Sequence, residues 1–127
     1  MLYDSIDTIV KDYSFFSVLA VSPGNIFQGF IGCQAKHEII YLALKNIYEI
    51  DIDYLDREYF TLTTNMYKII HDNNNLKYEN IKLYKEYLSK NNKQGITYDD
   101  LGKIILVHYC GWPKEIPLEL DVNIDCK

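Results

Sequence analysis

Three short stretches carry the side chains that could do chemistry. The opening run YDSIDTI sets Asp4 and Asp7 three residues apart. An acidic pair can hold Mg²⁺ or Mn²⁺, because both ions prefer carboxylate oxygens. The plain alternative is a solvated N-terminus or a helix cap. The run HYCGWPK, residues 108–114, follows the apolar KIILV and carries the single tryptophan. His108 could ligate a metal as neutral imidazole, and Lys114 could meet a phosphate as a point charge. Trp112, hinged by Gly111, could close over a ring. An ordinary strand end would instead pack Trp112 on the helices and leave Lys114 in water. The third stretch, SPGNIFQGFIG, sets Asn25 and Gln28 among glycines. Their amides could donate to and accept from sugar hydroxyls, or Asn25 could simply bond its own turn.

Other polar groups point less far. DID at 51–53 has the form of a DxD metal–diphosphate grip, but it links two helical stretches, so it reads as a capped loop. His37 stands at the front of one helical pattern and His71 at the back of the next. A helix C-terminus favours His71 through its dipole without any chemistry. The chain has no GxSxG, no P-loop and no Cys–His pair at telling spacing.

The elements that must position these groups follow from periodicity. YSFFSVLAV (13–21) reads as a buried strand, and IFQGFIGC (26–33) as a second one interrupted by glycines. Residues 35–50 show helical spacing with a wide apolar face. Residues 51–72 suggest a second helix starting near Asp53 or Asp56 and ending at DNNN. IKLYKEYL (81–88) reads as a strand, 89–100 as a polar mobile loop, and KIILVHY (103–109) as a strand. The proline-bearing tail forms no regular element. The layout is mixed α/β, a small mixed sheet with packed helices, in one domain spanning 1–127.

Composition excludes several classes. The chain has 127 residues, a net charge of −5 and scattered lysines. That is the wrong footprint for nucleic-acid binding. No apolar run approaches the roughly 20 residues of a membrane span, and the start has no signal-peptide shape. Three widely spaced cysteines suggest neither a disulfide framework nor a zinc site, so a reducing, cytoplasmic setting is expected. The twelve tyrosines fit either a polar binding surface or a coding bias toward Ile, Asn, Lys and Tyr.

Taken in order, residues 3–115 resemble the second half of glycosyltransferases that carry a DxD sugar-binding region, a group that includes initiating mannosyltransferases and giant-virus relatives. YDSIDT resembles that family's metal-binding "Y-x-D-x-D-T", although this chain spaces its acids as Asp4-Ser5-Ile6-Asp7. The Asn-containing turn, the small-residue strand, the histidine at a helix start and the late His108-to-Trp112 ending follow in the family's order. HYCG also looks like the closing "HY-x-G" of retaining transferases of the same fold. The resemblance implies the C-terminal half of a GT-A nucleotide-sugar transferase fold, lacking the nucleotide-binding half. It implies transfer of a hexose from a nucleotide-diphospho-sugar to a hydroxyl acceptor, with little or no activity in isolation. Asp4, Asp7 and His108 would hold Mn²⁺ or Mg²⁺. Asn25, Gln28, Gly111, Trp112 and Lys114 would face the donor, and no catalytic base is assigned. It also implies host cytoplasm or virion for a viral protein, and pairing with another chain through an exposed sheet edge.

A second expectation is a small acidic, immunity-type protein that masks a basic partner and catalyses nothing. The transferase expectation requires Asp7 and His108 within reach of one ion. The binding-protein expectation requires them apart, with a continuous acidic, aromatic face elsewhere.

Overall fold

FFSVL forms β1 (Phe15–Leu19), whose first four side chains are all buried. A strand covered on both faces belongs inside a sheet, with helices or loops on each side. The computed structural model, which describes residues 2, 4–58, 60–72, 80–90 and 93–109, gives that arrangement. The other strands are β2 (Gly32–Cys33), β3 (Ile81–Leu88), β4 (Gln94–Tyr98) and β5 (Ile104–Tyr109). The helices are α1 (Ile6–Val10), α2 (Glu38–Tyr48), α3 (Ile52–Arg57) and α4 (Thr61–Asp72). The sheet runs β2-β1-β3-β4-β5. Among the described residues only β1 and β3 pair in parallel, with Phe15 opposite Ile81 and Leu19 opposite Lys85. A parallel pair needs a long crossover, and α2, α3 and α4 lie within it.

Alternation along β1 and β3 divides the core. Phe15 and Leu19, with Ile81 and Leu83, pack with Ile26 against Ile39 and Ala43 of α2 and Met66 and Ile69 of α4. Val18 and Tyr84 turn to the other face and meet Ile9 of α1, Ile105 and Leu106 of β5, and Phe27 and Phe30. The Tyr84 hydroxyl donates to the Ile9 carbonyl at 2.9 Å, which ties α1 to this face. Phe27 follows β1 in the chain yet touches β5 at the far edge, so the sheet is curled around this second cluster.

The mixed α/β layout matches the sequence reading, and its strands at 13–21, 81–88 and 103–109 contain β1, β3 and β5. Three elements differ. The helix expected over 51–72 is two helices. Glu58 leaves helical geometry at φ −109° and ψ 80°, and its carbonyl accepts both the backbone N–H and the hydroxyl of Thr61. Most of the strand expected over 26–33 is turn. Phe27 N–H donates to Val18 O at 2.8 Å, and Phe30 then folds back on Phe27. Within the stretch read as a mobile loop lies β4, whose first four residues are buried. Gly95 disguised it, because a glycine beside polar residues reads as a breaker.

The edges are modest. At one side β2 offers two residues. At the other, Leu2 bridges Leu106 antiparallel. Among the described residues no helix is long and apolar enough to cross a membrane.

Candidate functional site

The acidic start forms a helix entrance rather than a strand end. Ser5 caps α1, its hydroxyl accepting the Thr8 N–H at 3.2 Å. Asp7 lies exposed in the first turn, where a carboxylate favours the helix dipole. One oxygen of Asp4 accepts the Ser5 N–H at 2.9 Å, and the other meets Lys103 Nζ at 3.0 Å. The Lys103 hydrogen bond, then the Ser5 amide, holds the Asp4 carboxyl below the usual carboxylate range. Asp4 is thus anchored where β5 begins, while His108 stands near the end of β5. Five residues of strand correspond to roughly 16 Å. The structure therefore does not bring Asp4, Asp7 and His108 to one ion, which corrects the expected arrangement. The ammonium beside Asp4 also opposes a divalent cation there. These residues do not fit the metal that the resemblance implies. No group of three His, Cys, Asp or Glu side chains suited to a metal forms among the described residues.

His108 has a different neighbour. Glu86 on β3 reaches over β4, and its Oε1 lies 2.7 Å from His108 Nδ1. The distance is within ion-pair range, but the two atoms do not line up as a hydrogen bond. Between them lies Gly95, directly opposite His108 in the register. A Cβ there would stand 2.3 Å from His108 Cε1 and 2.4 Å from Glu86 Oε1. The glycine is required by close approach of two side chains, with its φ in an ordinary range. The Phe27 ring stacks on the imidazole at 4.4 Å and 16°. Glu86 Oε2 accepts the Val21 N–H at 3.2 Å. The 20–31 loop is therefore held at both ends of the Glu86–His108 pair, and Ser17 adds a hydroxyl donated to Phe30 O at 3.0 Å. Sequence reasoning missed Glu86 and Gly95, since no local signal pairs positions nine apart with a third across two strands.

Asn25 serves the fold. Its Oδ1 accepts the hydroxyls of Thr63 and Thr64 at 2.9 and 2.8 Å. Its Nδ2 donates to Ser22 Oγ and Pro23 O. Both ends of the amide are thus engaged within the protein, and Asn25 also lines a cavity with Gln28. Asn25→Ala is expected to cost about 1 kcal/mol by removing the acceptor of the Thr64 hydroxyl, while Thr63 keeps the Phe60 carbonyl, read as a lower urea midpoint with unchanged slope. Gln28 stays exposed on a shallow cavity lined also by Phe27, Phe60 and Thr63. Gly111, Trp112 and Lys114 lie outside the described residues.

His37 is fully built into the fold. It caps α2, with Nδ1 accepting the Ile39 N–H at 3.2 Å, and Nε2 lies 3.4 Å from Ser14 Oγ. Its ring meets Phe15 at 5.4 Å. DID behaves as its context suggested, Asp51 Oδ1 accepting the Asp53 N–H at 2.8 Å to cap α3.

Another surface lies on the crossover. Tyr41, Leu44 and Tyr48 of α2 are 64%, 53% and 88% exposed, and Ile52 of α3 is 73% exposed. Positions 41, 44 and 48 share one face at helical spacing, opposite the buried Ile39 and Ala43. No residue of α3 is buried. Residues 36–58 also carry Glu38, Glu49, Asp51, Asp53, Asp56 and Glu58, against Lys36, Lys45 and Arg57. Beside the stripe, a groove of about 460 Å³ runs between the 33–37 segment and Ile40, Tyr41 and Leu44.

No family model, curated protein or solved structure matches the chain.

Proposed function

We propose that this chain is a protein-binding domain whose working surface is the outer face of α2 and α3. One observation carries the reading: the exposed row Tyr41, Leu44 and Tyr48 on one face of α2. Large apolar side chains gathered on one face usually mark an interaction site. Tyrosine suits such a site, because its ring buries area while its hydroxyl stays bonded. The acids around the row keep the free protein soluble and set the sign of its partner.

The test begins with a photoreactive group in place of Tyr48, used to capture a partner from the source cells. The purified partner is then titrated against the full chain and against the Tyr41→Ser, Leu44→Ser, Tyr48→Ser triple variant. These side chains are exposed, so the variant should melt within a degree or two of the parent. Binding weakened about 100-fold or more, roughly 2.7 kcal/mol, is the expected result. Equal affinity of parent and variant defeats the reading.

A second reading, a glycosyltransferase-derived domain, is favoured by one contact. Phe27, beside the Asn25 turn, meets His108 at the end of β5, and the resemblance asks those two segments to cooperate. On this reading the 20–31 loop and the Glu86–His108 pair would face a hexose of a nucleotide-sugar, with Glu86 orienting the imidazole to hold a proton from the acceptor hydroxyl. Melting with UDP- and GDP-hexoses, with and without Mn²⁺, tests it. A ligand that binds the folded state must raise the midpoint, and no shift at millimolar donor rejects it.

A further inference from the structure

We infer that the α2–α3 face takes a cationic amphipathic helix of another protein, an inference that rests on the reading of that face as a binding surface. The first argument is shape. Positions 41, 44 and 48 form a ridge about 10 Å long at 1.5 Å per residue, and Ile52 at the start of α3 is exposed as well. Anchors at i, i+3 and i+7 are the pattern by which one helix meets another. The groove along Ile40, Tyr41 and Leu44 supplies a wall for an apolar side chain of the partner.

The second argument is charge. Lys36 lines the groove, so residues 36–58 set six acids against three cations, a net −3 within a chain of −5. Glu38 and Glu49 flank the ridge, and Asp51, Asp53, Asp56 and Glu58 extend the field along α3. A second copy of the chain would bring this field against itself, and like charges facing across an interface disfavour it. An anionic membrane is opposed for the same reason. A partner with lysines or arginines around an apolar stripe matches both features.

Three peptides test the inference against the intact chain by fluorescence anisotropy. One places Leu on a helical stripe with Lys elsewhere; one has Glu in place of Lys; one has the Lys/Leu composition in scrambled order. The Lys/Leu peptide should bind about tenfold tighter than either control. Leu44→Ser with Tyr48→Ser should weaken it about tenfold. Asp51→Asn, Asp53→Asn and Asp56→Asn together should weaken it several-fold and flatten its salt dependence, with the α3 cap kept by asparagine. Scrambled peptide binding as well, or Lys/Leu binding indifferent to the Leu44 and Tyr48 changes, overturns the inference. Equal binding of the Glu peptide at the same residues overturns the cationic partner while the interaction surface stands. If no peptide binds, the inference falls, and the photo-captured partner decides the broader reading separately. A dimer that dissociates in the Leu44→Ser, Tyr48→Ser variant names a second copy and also overturns it.

Discussion

Gly95→Ala is expected to lower the unfolding free energy by about 3 kcal/mol, at the upper end for overpacking a buried site. The new methyl would sit 2.3 Å from His108 Cε1 and 2.4 Å from Glu86 Oε1. Neither neighbour can retreat freely. Glu86 is 5% exposed in its side chain and holds Val21 N–H, and His108 is stacked under Phe27. The strain should therefore spread into the 20–31 loop. Denaturant melts of Gly95→Ala, His108→Ala and the double variant form the check. Removing the imidazole opens room for the methyl, so the double variant should be markedly more stable than the sum of the two single losses implies. Simple additivity would show that the glycine is kept for another reason.

His37→Ala is expected to cost about 2–3 kcal/mol, combining a lost helix cap with a cavity beside Phe15. The residue is 1% exposed. Its Nδ1 accepts the Ile39 N–H, which places the proton of the neutral ring on Nε2 toward Ser14. That tautomer follows from the hydrogen bonds. Burial, the main cause, lowers the imidazole pKa below its ordinary 6.5, with Glu38 opposing. The sign follows by linkage. Above 6.5 both folded and unfolded chains carry neutral imidazole and stability is unaffected. As pH falls below 6.5 the unfolded chain takes up a proton that the folded chain refuses, so stability declines until the folded pKa is passed. His37→Asn keeps a capping side chain but has no such titration. The stability difference between parent and His37→Asn should shrink from neutral pH to about pH 5. A difference that stays constant over that range rejects the buried neutral histidine.

Local patterns foretold much of the fold. The run FFSVL had to be a covered strand, because its apolar side chains point alternately to both faces. The apolar spacing over 35–50 contained α2, and DID capped a helix as Asp does wherever it precedes one. SPGN was legible as a turn, and Asn25 does bond there, to Ser22 and Pro23. The strand β4 was not legible. Its identity comes from pairing with β3 and β5, which a window of five residues does not contain.

The sites divide along the same line. Sequence alone determined which polar and aromatic side chains the chain owns, its negative charge, and which segments become helix or strand, since these rest on chemistry within a few residues. Only the tertiary structure decided who meets whom. It sent Asp4 to Lys103 and His108 to Glu86, because residues at opposite ends of one strand stay apart however suggestive their types. It also left Tyr41, Leu44 and Tyr48 uncovered. Which of α2's apolar side chains became core was settled when, among the described residues, the sheet and α4 packed on the side of Ile39 and Ala43.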